Sequence, residues 1–172
     1  RCRTYGKGIQ GSNVFPQTIL CKLSEVVMLI ISHRGNLNGR NPETENHPDQ
    51  IIRAVDEGFD VEVDVWFKDD MWYFGHDEPT YEMAQSYFNN WKNTAINKLW
   101  IHAKNLEAVE KLSLSGMNWF WHENDKVTLT SKGYVWCFSG YETDGGIMVD
   151  SGQKTDKKIF GVCTDNPRRW QK

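Results

Sequence analysis

The chain has 172 residues, of which 39% are hydrophobic and 25% charged, and a net charge of −3. This length supports one domain with a real core, and the mild acidity excludes a dedicated nucleic-acid binder, which needs a basic face. No apolar stretch approaches the roughly 20 residues of a membrane span, so no transmembrane segment is expected.

Residues 1–27 lack a clear signal-peptide core and read as an N-terminal extension. The domain proper is expected over residues 28–170, with Met28 opening its first strand, 28–33. Pro48 fits a first helical turn, Ile51, Ile52 and Val55 give a 3.6-residue stripe, and Gly58 ends it, which predicts a helix. Residues 59–65 read as a strand with carboxylates at alternate positions. Only Phe67-Lys68-Asp69-Asp70 separates it from a third strand at 71–75, so that link is a turn. Met83, Ala84, Tyr87, Phe88 and Trp91 space like a second helix. A strand at 98–103 follows, and Asn105 caps a third helix carrying Leu106, Val109 and Leu112, stopped by Gly116. The last strands are expected at 119–122, 134–138, 146–149 and 159–163, with gaps after residue 120 too short for full helices.

Strands alternating with helices predict an α/β protein with a mostly parallel sheet. Eight strands in so short a chain point to a reduced (β/α)₈ TIM-type barrel, with several helices shortened or missing. The four cysteines, Cys2, Cys21, Cys137 and Cys163, show no C-x-x-C spacing. A reducing, cytoplasmic setting is therefore the expectation.

Four of the five histidines close strand-like runs: His33, His76, His102 and His122. Side chains alternate along a strand. Inward faces carrying Ile31 and His33, Glu62 and Asp64, Phe74 and His76, Trp100, His102 and Lys104, and Phe120 and His122 would line the C-terminal mouth of a barrel. Glu62 and Asp64 repel each other unless a cation or proton sits between them, and such oxygen ligands suit Mg²⁺ or Ca²⁺. Arg34 and Lys104 add positive charge useful against a phosphate. His122 reads as either a substrate contact or a polar strand end. Asp77 either fixes His76 or starts a turn, Asp165 sits at the rim, and His47 faces solvent.

His33-Arg34-Gly35, then Glu62-x-Asp64-Val65, then Gly75-His76-Asp77 resembles the glycerophosphodiester phosphodiesterase family, whose opening motifs are H-R-G, P-E-N-T, E-x-D-V and H-D. Asn46 stands twelve residues before Gly58, matching the family's spacing from the Asn of P-E-N-T and aligning Glu45 with its Glu. Asn41-Pro42-Glu43-Thr44 offers a second alignment. His102-Ala103-Lys104 is similar to the family's E-x-K with His for Glu, and Thr164-Asp165-Asn166-Pro167 to its closing T-D-x-P.

The resemblance implies catalytic His33 and His76, phosphate contacts from Arg34 and Lys104, and a divalent metal on Glu62 and Asp64 with Glu45 nearby. In the family a Glu ligates where His102 stands, and imidazole shifts preference from Mg²⁺ or Ca²⁺ toward Mn²⁺ or Zn²⁺. The implied function is metal-dependent hydrolysis of a small-molecule glycerophosphodiester or related lipid-derived diester. Two readings stand beside it. One is a phospholipase D-like lyase of the sphingomyelinase D type that yields a cyclic phosphate; the other is a non-catalytic barrel that binds phosphoesters. The oligomeric state stays open.

Overall fold

Val61, Val63 and Val65 point to one side of a single long strand while Asp60, Glu62 and Asp64 point to the other, and the fold is arranged around that division. The computed structural model describes residues 28–83 and 97–171. In chain order these form β1 (Leu29–His33), α1 (Pro48–Asp56), β2 (Asp60–Lys68), β3 (Met71–Phe74), β4 (Tyr81–Met83), β5 (Leu99–Ala103), α2 (Leu106–Ser113), β6 (Trp119–Phe120), β7 (Val127–Leu129), β8 (Val135–Phe138), β9 (Ile147–Val149) and β10 (Gly161–Thr164), closed by a 3₁₀ turn at Pro167–Trp170.

The helices begin where capping chemistry allows. His47 caps α1 by accepting from the Asp49 N–H, Pro48 occupies the first turn, and Asn105 caps α2 by accepting from the Ala108 N–H. Ile51 and Ala54 of α1 and Ala108 and Leu112 of α2 pack on Val61, Val63, Val65, Leu99, Ile101 and Ala103 in one core. A second core lies on the concave side of the sheet and joins Ile31, Trp100, Phe120, Trp136, Ile147 and Cys163. Full burial of each such aliphatic or aromatic side chain is worth about 1.5–3 kcal/mol.

The sheet departs from the expected reduced (β/α)₈ barrel. It is a curled, mixed half-barrel sheet with two α-helices among the described residues. Neighbours β6, β5, β2, β1, β10, β9 and β8 run parallel, and β7 joins β8 antiparallel. The expected third barrel strand is instead part of an antiparallel hairpin extension: residues 65–68 of β2 pair with β3, which pairs with β4. Asp69 and Asp70, at φ 52° and 59°, supply the left-handed turn such a hairpin needs. Trp72 and Phe74 consequently pack in the helix-side core and not at the mouth. The parallel links from β8 to β9 and from β9 to β10 are loops, over residues 139–146 and 150–160. The first segment is Gly-rich, the second is charged and neither carries an apolar stripe, so they cover no sheet face as a crossover helix would. The predicted helix over Met83–Trp91 falls outside the described residues except for Met83, the last residue of β4.

The curl brings Phe120 of β6 onto Trp136 of β8, with ring centroids 4.6 Å apart. The Ser131 N–H donates to the Trp119 carbonyl at 2.7 Å, bridging β6 to the β7–β8 turn. Cys137 and Cys163 are free and buried. Among the described residues no helix is long and apolar enough to cross a membrane.

Candidate functional site

Parallel strands in register put their ends together. Glu62 of β2 faces His33 of β1, and Asp64 lies opposite His102 of β5. All the parallel strands end on this side, and the turns that follow them supply the remaining groups.

Asp64 is fully buried, and its two carboxylate oxygens meet different partners. Oδ2 accepts from Asn46 Nδ2 at 2.9 Å and pairs with Arg34 Nε at 3.0 Å. Oδ1 faces His102 Nδ1 at 3.0 Å and Lys104 Nζ at 3.5 Å, yet neither contact is aligned as a hydrogen bond, leaving a buried oxygen without one. Asn46 holds both ends of the residue, because its Oδ1 also accepts the Asp64 N–H at 3.0 Å. Burial alone would raise the Asp64 pKa; His102, Arg34 and Lys104 outweigh it and hold the carboxyl well below the usual range. Glu62 shifts the other way, pushed up first by burial and then by the Asp64 charge. One ligand atom from each of Glu62, Asp64 and His102 fits within a 4.8 Å cluster.

His33 Nδ1 lies 2.9 Å from Asp165 Oδ1, which also accepts from Asn36 Nδ2 at 2.8 Å. This anchors one ring nitrogen and leaves Nε2 facing Glu62 Oε2 at 3.8 Å. Burial works to lower the His33 pKa, but Asp165 and Glu62 win and the net shift is upward. His76 is set across the pocket. Gly75 at φ 150° donates its N–H to the Asp64 carbonyl and breaks the strand alternation, which turns His76 toward the mouth although Phe74 points to the core. Its Nδ1 lies 2.7 Å from Asp77 Oδ1, and burial carries its pKa below the ordinary imidazole value.

A pocket of about 180 Å³ is lined by His33, Arg34, Glu62, His76 and His102 on its charged side and by Phe120, Trp136, Phe138 and Val149 on the other. An open groove of about 580 Å³ shares His76, His102, His122 and Phe138 and continues past Lys104 and Trp121. The arrangement offers two imidazoles of opposite bias facing one space, carboxylates that attract a cation, and a Lys at the rim.

Of the residues expected from sequence, His33, Arg34, Glu62, Asp64, His102 and Lys104 converge directly, and His76 joins them as a pocket wall. Glu45 sits behind the cluster, occupied by Arg34 Nη1 at 3.0 Å and Arg40 Nε at 3.5 Å. Arg34 is likewise spent on Glu45 and Asp64, which makes it a clamp on the carboxylates. Asn46 and Asp165 were not counted as site residues from sequence, though each lies in a segment that carried the resemblance. His122 stacks on His102 with centroids 4.5 Å apart, and burial beside His102 and Lys104 lowers its pKa to about 4. No family model, curated protein or solved structure matches this chain.

Proposed function

We propose that the chain is a metal-dependent phosphodiester hydrolase that cleaves glycerophosphodiesters or related lipid-derived diesters by two-histidine acid/base catalysis. The observation that carries this reading is the pair His33 and His76, biased in opposite directions and lining one pocket beside the Glu62–Asp64 carboxylates. It is supported by the resemblance over residues 31–77.

The histidine roles follow from their surroundings. His33, buttressed at Nδ1 by Asp165, holds a proton at Nε2 and donates it to the leaving alkoxide oxygen. His76, whose lowered pKa keeps it neutral near pH 7, accepts the proton of the attacking hydroxyl. A P–O bond forms to the attacking oxygen as the P–O bond to the leaving group breaks. Water as attacker yields a phosphomonoester and an alcohol; a hydroxyl of the substrate itself yields a cyclic phosphate and an alcohol. The buried, unbonded Asp64 Oδ1 fits a divalent cation held by Glu62 and Asp64. Such an ion would neutralise charge building on the phosphoryl oxygens. Lys104 Nζ, on a flexible stem at the rim, is better placed than Arg34 to meet the phosphate.

The test is phosphorus NMR of glycerophosphocholine and lysophosphatidylcholine incubated with the protein and Mg²⁺, Ca²⁺, Mn²⁺ or Zn²⁺ in turn. Conversion to a phosphomonoester that a chelator abolishes supports hydrolysis. Accumulation of a cyclic phosphate assigns the site to the lyase reaction. No conversion of either diester with any of the metals overturns the proposal.

A further inference from the structure

His102 is fixed by ring contacts and by a main-chain carbonyl. Its ring packs against both His122, at 4.5 Å and 9° from parallel, and Phe120, at 5.0 Å and 11°, which are themselves 5.9 Å apart. Its Nε2 lies 3.3 Å from the main-chain carbonyl oxygen of His122. A carbonyl oxygen only accepts, so the hydrogen of this contact belongs to Nε2. The other ring nitrogen, Nδ1, faces carboxylate oxygens: Asp64 Oδ1 at 3.0 Å and Glu62 Oε1 at 4.0 Å.

The Asp64 carboxylate is unevenly satisfied. Its Oδ2 accepts from Asn46 and pairs with Arg34, while Oδ1, equally buried, has no hydrogen-bond partner. That oxygen, a nitrogen of His102 and a Glu62 oxygen converge on one small volume. Ligating histidines are characteristically oriented by a carbonyl or carboxylate on their other nitrogen, which is the relation of His102 Nε2 to the His122 carbonyl.

We propose that Glu62, Asp64 and His102 form a binding site for a borderline transition-metal ion of the Zn²⁺ or Mn²⁺ class, ligated by His102 through Nδ1, which discriminates against Mg²⁺ and Ca²⁺. The hard cations take oxygen ligands and gain little from imidazole, whereas Zn²⁺ and its neighbours accept a mixed nitrogen and oxygen set. Lys104, 3.5 Å from Asp64 Oδ1, is the movable cation that yields this position. The inference deepens the phosphodiesterase reading and rests on its metal site, but its test reads binding and not turnover.

Co²⁺ serves as the spectroscopic probe, titrated into the full chain. The expected result is one equivalent bound, with visible ligand-field absorption that Zn²⁺ displaces stoichiometrically and a large excess of Mg²⁺ or Ca²⁺ leaves in place. Glu62→Gln should abolish the signal. His102→Glu, which keeps a ligating side chain but offers oxygen in place of nitrogen, should weaken Zn²⁺ binding and let Mg²⁺ or Ca²⁺ compete. Displacement of Co²⁺ by Mg²⁺ at concentrations similar to Zn²⁺ in the parent overturns the inference, as does a His102→Glu protein with unchanged selectivity. Diester turnover with Mg²⁺ in a protein that binds no Co²⁺ would remove this inference and leave the reaction standing. Selective Zn²⁺ binding without turnover of any diester would do the reverse.

Discussion

Asn46 is the residue whose replacement reads out most directly how the site is built. It is 1% exposed, donates to Asp64 Oδ2 at 2.9 Å and accepts the Asp64 N–H at 3.0 Å, and it does so from a left-handed backbone at φ 63°. Asn46→Gly keeps that backbone accessible but removes both bonds, leaving the buried Asp64 amide unsatisfied and its carboxylate one donor short. Each orphaned group costs about 1–3 kcal/mol, so a loss of about 3 kcal/mol is expected. Asn46→Ala adds the left-handed penalty of about 1–2 kcal/mol and should be the worse of the two. For a chain of this size each kcal/mol corresponds to about 2–4 °C, so the Gly protein should melt about 6–12 °C below the parent. Thermal and urea unfolding followed by tryptophan fluorescence measures both. A Gly variant within about 0.5 kcal/mol of the parent would refute the claim that these two bonds hold Asp64, since a pair of buried bonds exceeds that. An Ala variant more stable than the Gly variant would refute the backbone part.

Three further outcomes are expected. Gly75→Ala places a Cβ against the Glu78 carbonyl from a φ of 150°, which should cost about 3 kcal/mol from the clash and left-handed strain together; because Gly75 aims His76, diester turnover should also fall at temperatures where the variant is still folded by circular dichroism. Asp77→Asn removes the partner that raises the His76 pKa, so a base that must be neutral should stay neutral to lower pH. The acid limb of the kcat/KM profile should therefore move down, and a limb that moves up contradicts the assignment. Asp165→Asn removes the carboxylate that anchors His33 Nδ1 and raises its pKa, and should lower kcat with little change in melting temperature; an unchanged kcat would show that the Asp165 contact at 2.9 Å does not support a working acid.

Strand alternation made half of this site legible. Once residues 59–65 were read as a strand, Glu62 and Asp64 had to share a face, and the same rule placed His33, His102 and Lys104 on the matching faces of β1 and β5. Helix ends were legible because Pro48, Asn105 and Gly58 act locally. Strand direction was not legible in Met71–Phe74 itself, whose apolar composition suits a parallel barrel strand or an antiparallel hairpin alike. It was carried by the short link at residues 67–70, which cannot make the crossover a parallel pair needs and which turns at two left-handed aspartates. The strands Tyr81–Met83 and Val127–Leu129 are three residues each, too short for a period to register. Partners distant in the chain stayed hidden: Asp165 lies 132 positions from His33, and the stack of His102, His122 and Phe120 depends on how β5 and β6 align.

The most direct test of the two-histidine reaction is the metal-dependent rate of glycerol 3-phosphate release from glycerophosphocholine by the parent, His33→Ala and His76→Ala proteins, each checked for the same fold. Acid/base groups of this kind contribute about 10²- to 10⁴-fold. A parent that turns over, with both variants slowed at least a hundredfold, is the predicted result. A parent that turns over while either variant keeps its rate would contradict the assignment.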